Sequence, residues 1–139
     1  CRRRGVAYTR YCDDLVFSGE DLEGVRAVAE AELRGMGFFL NCGKTSLRSA
    51  GQRQTVTGLV VNEKVSVPRE ERRAVRQAAY YCRRFGVEGH LGRIGSDLSP
   101  DAYLGCLLGR VGYVLQADPD CAWALEARRW LLEERRRRI

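Results

Sequence analysis

Asp13 and Asp14 are adjacent carboxylates in Tyr11-Cys12-Asp13-Asp14, set between two runs of β character, Gly5 to Tyr11 before and Leu15-Val16-Phe17 after. Like charges side by side repel, and a protein tolerates them where solvent or a cation screens them. At a hairpin tip both carboxylates can face outward and hold Mg²⁺, a hard ion that takes carboxylate and phosphate oxygens. Carboxylates holding such ions against a phosphate are the working parts of two-metal phosphoryl transfer. Asp is also a common turn residue, and taken alone the tetrapeptide reads better as an ordinary acidic β-turn.

The elements around the pair decide between these readings. Residues 6–17 read as a β-hairpin with the acids at its turn. Residues 21–35 read as a helix that Asp21 can cap, with Leu22, Val25, Val28, Ala29 and Leu33 at helical spacing and Gly35 and Gly37 as its stop. Phe38 to Leu40 is short, apolar and extended, and Asn41-Cys42-Gly43 is a turn. Residues 45–48 and 54–61 are expected to pair as strands, and Asn62 to Lys64 turns into a short strand at 65–67. After Pro68 the chain reads as helical. Residues 69–85 place Val75, Ala78, Ala79 and Cys82 on one face and arginines elsewhere. Residues 86–98, rich in glycine, read as a loop containing His90. Ser99-Pro100 is a strong helix start, followed by an apolar face of Tyr103, Leu104, Leu107, Leu108, Val111 and Leu115. A last helix is expected over 120–137. The fold class is α+β, with strands and one helix up to Val67 and an all-helical segment beyond.

The segment Tyr8-Thr9-Arg10-Tyr11-Cys12-Asp13-Asp14-Leu15-Val16-Phe17-Ser18-Gly19 resembles the catalytic hairpin of reverse transcriptases. Gly37-Phe38-Phe39-Leu40-Asn41-x-x-Lys44-Thr45 and Gln54-Thr55-Val56-Thr57-Gly58-Leu59-Val60-Val61-Asn62 follow in the order that family requires. The Val-Thr-Gly-Leu-Val-Val-Asn run is similar to the bacterial retron-type branch more than to the group II intron or retroviral branches. The resemblance covers about residues 5–86 and continues more loosely to about 119.

That resemblance implies a partial polymerase palm over 1–67, with catalytic hairpin and primer-grip-like strands, and a helical thumb over 68–139. It implies Asp13 as the main metal ligand and Asp14 as its companion, two Mg²⁺ ions in the complete enzyme, and Tyr11 and Cys12 beside the primer end. Lys44 would lie near the triphosphate, steadying charge or donating a proton; the plainer reading is a solvated turn lysine. Val56, Thr57 and Gly58 would position the primer backbone, contacts that place without reading sequence, or would simply form a buried strand with a bulge. Arg69, Arg72, Arg73, Arg76, Arg83 and Arg84 would hold nucleic acid through its backbone. The alternative is a solvated helix face paired with Glu70 and Glu71. Tyr80 and Tyr81 could stack on sugar or base, and are more often packing residues. Gly105, Gly109 and Gly112 suggest close helix packing, and the terminal arginines either grip nucleic acid or fray.

The implied partners are an RNA template and DNA primer supplied by a structured noncoding RNA, deoxynucleoside triphosphates, and an effector protein in phage defence. The RNA would be read by residues 99–138. The third carboxylate of such a site lies, in the family, on an upstream strand, and none of the residues before Asp13 is acidic. Glu20 and Asp21 lie too close along the chain to replace it. Since the sequence opens on Cys1, a piece of a longer protein is expected, unable to polymerise alone. The competing readings are a non-catalytic nucleic-acid-binding remnant and a group II intron-type fragment.

Composition agrees with these readings without selecting among them. The 139 residues are 45% hydrophobic, with a formal net charge of +6, an excess that suits an anionic partner. Cys1, Cys12, Cys42, Cys82, Cys106 and Cys121 include no Cys-x-x-Cys pair, and His90 is the only histidine, so zinc-finger spacing is absent. Reduced thiols in the cytoplasm are expected, with no membrane partner, since no apolar run approaches the length of a span.

Overall fold

The computed structural model describes residues 5–20, 22 and 24–138. Among these the chain is α+β and mostly helical, with β1 (Ala7–Tyr11), β2 (Asp14–Ser18), α1 (Val25–Gly35), β3 (Thr55–Val56), β4 (Leu59–Val60), α2 (Arg69–Phe85), α3 (Val87–Ile94), α4 (Pro100–Ala117) and α5 (Ala122–Arg136). Packing divides it into two compact units, Cys1–Ser49 and Ala50–Ile139. No described helix is long and apolar enough to cross a membrane.

In the first unit β1 and β2 pair antiparallel from Ala7↔Ser18 to Tyr11↔Asp14. Tyr8 and Phe17 face each other across the ladder with ring centroids 5.1 Å apart, the kind of cross-strand pair that fixes register. Helix α1 starts later than expected. Gly24, at φ 76, occupies its N-cap; the expected cap Asp21 lies outside the described residues. No residue of α1 is buried.

Residues 45–48 of the first unit, expected as a strand, form none, and in the second unit 54–61 does not run as one strand. Instead β3 pairs with β4, Thr55↔Val60 and Val56↔Leu59. The cause lies between them: Thr57 (φ 48) and Gly58 (φ 85) both take positive φ, the geometry of a tight two-residue hairpin turn. The strand expected at 65–67 is reduced to a single bridge, Val60↔Ser66, made by two hydrogen bonds of 2.8 and 2.9 Å. Asn62 fastens the preceding loop. Its Oδ1 accepts from the Gln54 amide at 2.9 Å, and its Nδ2 donates to the carbonyls of Gln52 (2.7 Å) and Ala50 (3.3 Å).

The helices enclose the core. Val67, Val75, Ala79, Cys82, Val87, Leu91, Leu104, Leu107, Val111, Val114, Ala124 and Leu131 are buried in one cluster. Burial pushes the Cys82 thiol up to about 11. Ser99 caps α4 as expected, its Oγ accepting from the Ala102 amide at 3.3 Å, with Pro100 in the first turn. The face expected on α4 is the buried one, joined by Val114, which the sequence reading omitted. The glycine stripe is a correction: a Cβ at Gly105, Gly109 or Gly112 would meet no atom within 4 Å, so these glycines do not serve close packing within the described structure.

Residues 86–98 are not a loop. Gly86 (φ 77) and Gly95 (φ 63) bracket α3 as its two ends, and Val87, His90 and Leu91 are buried on one face. His90 is therefore a core residue. Its Nε2 lies 2.9 Å from the Tyr103 hydroxyl, while its buried Nδ1 has no hydrogen-bond partner among the described residues. Burial, aided by the charge of Arg93, lowers its pKa below the ordinary 6.5. The rings of Tyr81 and Tyr103 flank it. A histidine with a depressed folded pKa takes its proton more readily unfolded, so the stability it allows is present above the unfolded pKa and is lost as pH falls through it. Since the chain has one histidine, acidification from about pH 7.5 to about pH 5.5 is expected to lower the melting temperature, and His90→Gln to flatten that decline. Thermal melts followed by circular dichroism across this range check it; an equal decline in both proteins would remove His90 as the cause.

Candidate active site and nucleic-acid face

The two acids lie where the sequence placed them. Tyr11 and Asp14 form the last pair of the β1–β2 ladder, which leaves Cys12 and Asp13 as the two turn residues. Cys12 has φ 50, a left-handed conformation that costs a non-glycine residue about 1–3 kcal/mol and recurs at functional turns. Tyr11, Cys12, Asp13 and Asp14 are all exposed. Among the described residues neither carboxylate is engaged in a hydrogen bond or ion pair. Four hard oxygens thus stand free at one tip, a donor chemistry that fits Mg²⁺. The set is partial: no group of three His, Cys, Asp or Glu able to hold a metal occurs among the described residues.

Lys44 is exposed in a tight turn. The amides of Lys44 and Thr45 both donate to the Asn41 carbonyl at 3.0 Å, the Thr45 hydroxyl donates to the same oxygen at 2.9 Å, and the Gly43 amide donates to Asn41 Oδ1 at 3.0 Å. The Asn-x-x-Lys-Thr run therefore has a local structural role, with asparagine organising the turn and the lysine ammonium left outside it.

In the second unit the Thr57–Gly58 turn carries the other motif. A Cβ on Gly58 would lie 3.6 Å from the Tyr113 hydroxyl of α4, ordinary contact, so it is the positive φ that calls for glycine here. Val56 is half-buried and Thr57 exposed.

The α2 arginines separate into two groups. Glu70 pairs with Arg53 (3.4 Å) and Glu71 with Arg110 (2.9 Å), so the acids expected to neutralise the helix face are engaged elsewhere. Arg83 is tied to Glu126 of α5 at 2.5 Å. Arg69, Arg72, Arg73 and Arg76 make no ion pair among the described residues, and together with Trp123 of α5 they line one shallow groove. Arg73 and Arg76 also border the adjoining hollow with Gln77, Tyr80 and Tyr81. Arg72 Nε is buried without a hydrogen-bond partner among the described residues. Arg84 is exposed and likewise unpaired among the described residues. The sequence reading missed Trp123, which is distant in the chain and carries no local motif.

The carboxylate hairpin and the succession of motifs point to the reverse-transcriptase class, and comparison with known proteins agrees. The chain is similar to retron reverse transcriptases. It is 37% identical over 132 residues to Retron Mx65 reverse transcriptase of Myxococcus xanthus, covering 92% of this chain and 28% of that protein. It is 33% identical to Retron Mx162 reverse transcriptase of the same organism, covering 85% and 26%. It is 33% identical over 82 residues to Retron Ec86 reverse transcriptase of Escherichia coli, covering 56% and 26%. The chain thus spans about a quarter of the length of the curated relatives it matches. No protein-family model matches it.

Proposed function

We propose that this chain is the palm-and-thumb portion of a retron-type RNA-directed DNA polymerase, with palm at 1–67 and thumb at 68–139. One observation carries the reading: two free, exposed aspartates at a hairpin tip within a sequence 37% identical to a retron reverse transcriptase. Asp13 and Asp14 are the residues that would hold Mg²⁺, which supplies activation of a primer hydroxyl and charge neutralisation on the triphosphate. The chain's own side chains do the positioning. Tyr11 and Cys12 flank the primer end. Lys44 offers an ammonium to the triphosphate from a turn that leaves it unpaired among the described residues. Val56, Thr57 and Gly58 support the primer backbone. The unpaired α2 arginines engage phosphates.

The template and primer on this reading come from a structured noncoding RNA in the cytoplasm, with an effector protein in antiviral defence as a further partner. The three relatives named above carry retron names, which favours this branch over a group II intron-type enzyme. A non-catalytic nucleic-acid-binding remnant is the second reading, favoured by the lack of a third acid beside the pair among the described residues. For the same reason the 139-residue chain by itself is expected to give no primer extension on an RNA template with Mg²⁺ and deoxynucleotides. Asp13-dependent synthesis by the chain alone would show that two carboxylates suffice and overturn this part of the reading.

A further inference from the structure

The groove between α2 and α5 contains more than charge. Arg69, Arg72, Arg73 and Arg76 recur at helical spacing along α2 and present one face, and all four lack carboxylate partners among the described residues while Arg53, Arg83 and Arg110 have them. Four guanidinium groups held together without an ion-paired carboxylate, with only Glu70 near Arg69 as a shared counter-charge among the described residues, repel one another, a cost that a polyanion removes. Arg72 Nε, buried and without an acceptor among the described residues, is a donor that those residues do not satisfy.

Aromatic rings lie along the same line. Trp123 lines the groove with the four arginines. One helical turn beyond Arg76, Tyr80 is 58% exposed and borders the adjoining hollow with Arg73 and Arg76. From Arg69 to Tyr80 the face runs about 16 Å along the helix. In a duplex the bases are already stacked on one another and offer no free face to a side chain; backbone contacts alone would need the arginines but not the rings. Arginines that follow a backbone, interleaved with aromatics on which bases stack, are the combination by which single strands are bound.

We infer that the α2–α5 groove binds an unpaired RNA strand, with its phosphates on Arg69, Arg72, Arg73 and Arg76 and its bases stacked on Trp123 and Tyr80. The site deepens the nucleic-acid reading of α2 given above and rests on it. Arg83, held by Glu126, lies outside it.

The test uses the full 139-residue chain and a fluorescein-labelled oligouridylate of about twelve nucleotides, read by polarisation beside an RNA duplex of the same length. The single strand is expected to bind more tightly than the duplex. Raising salt from about 50 to about 200 mM should weaken binding about 50-fold if four phosphates are engaged. Tyr80→Ala and Trp123→Leu should each weaken binding about tenfold, Arg72→Gln similarly, and Arg83→Gln clearly less than Arg72→Gln. Tyr80 is exposed, so its variant tests stacking without disturbing the core. With Trp130→Phe leaving Trp123 as the single tryptophan, the strand should also quench its fluorescence. Duplex bound as tightly as the strand, undiminished binding by Tyr80→Ala and Trp123→Leu, an Arg83→Gln loss equal to that of Arg72→Gln, or competition by free uridine triphosphate as effective as the strand would each overturn the inference while leaving the broader reading intact. If neither strand nor duplex binds at low salt, the nucleic-acid reading of α2 fails with it.

Discussion

A chimera in which this chain replaces the matched segment of Retron Mx65 reverse transcriptase is expected to extend a primer on an RNA template with Mg²⁺, and Asp13→Asn in that chimera to reduce the rate at least about 100-fold. The argument rests on the tip of the β1–β2 hairpin. Asn keeps the size of the side chain and the turn, so the Tyr11↔Asp14 pairing should survive, and what is removed is one negative charge and its hold on a hard cation. Asp14→Asn should cost less, because the resemblance makes it the less direct ligand. The chimera supplies what the second reading says is absent. Asp13-dependent synthesis would therefore exclude a remnant, whereas a chimera that folds, binds template-primer and makes no product would favour one. A rate unchanged by Asp13→Asn would remove these aspartates from the chemistry altogether.

Leu107→Ala should have the largest effect on stability. Leu107 is 1% exposed and sits in the one cluster that α2, α3, α4 and α5 share. Truncating a buried leucine removes its transfer free energy and leaves a cavity, together about 2–5 kcal/mol, against a total of about 5–15 kcal/mol for a domain. The ion pairs around this core cannot offset such a loss, since Arg83–Glu126, Arg110–Glu71 and Arg135–Asp101 are solvent-exposed and exposed pairs contribute at most about 1 kcal/mol each. A melting temperature at least about 10 °C lower is expected by calorimetry or circular dichroism. A change of only a degree or two would mean that the neighbouring side chains close the cavity.

Much of the helical part is legible in the sequence because its signals are local. The Ser99-Pro100 start and the apolar spacing through Val111 both name physical contacts that the structure contains. The failures are equally physical. Gly86, Gly89, Gly92 and Gly95 suggested a loop, yet two of them are helix ends, and burial of Val87, His90 and Leu91 outweighs the low helix propensity of the two between. The β3–β4 hairpin was missed because its turn is Thr57-Gly58, without the Asn-Gly or Asp-Gly signature of such turns. In the candidate site the hairpin acids are legible as a motif. The groove is not, because the approach of Trp123 to the α2 arginines is made by helix packing, which no local pattern encodes. Nor could the sequence say which arginines are neutralised: Glu70 and Glu71 adjoin the α2 arginines in the chain but pair with Arg53 and Arg110.

The left-handed turn at Cys12 has a consequence for how this hairpin can change over time. With φ at 50, position 12 disfavours the β-branched residues, whose second branch worsens the clash that this conformation already imposes on any Cβ, a cost that the chain does bear at Thr57. Small or unbranched side chains, and glycine most easily, remain open to it. The residue beside the two aspartates is thus freer to drift in polarity and reactivity than in shape, so that the backbone, rather than any contact of the thiol, holds the acids at the tip while their neighbour varies.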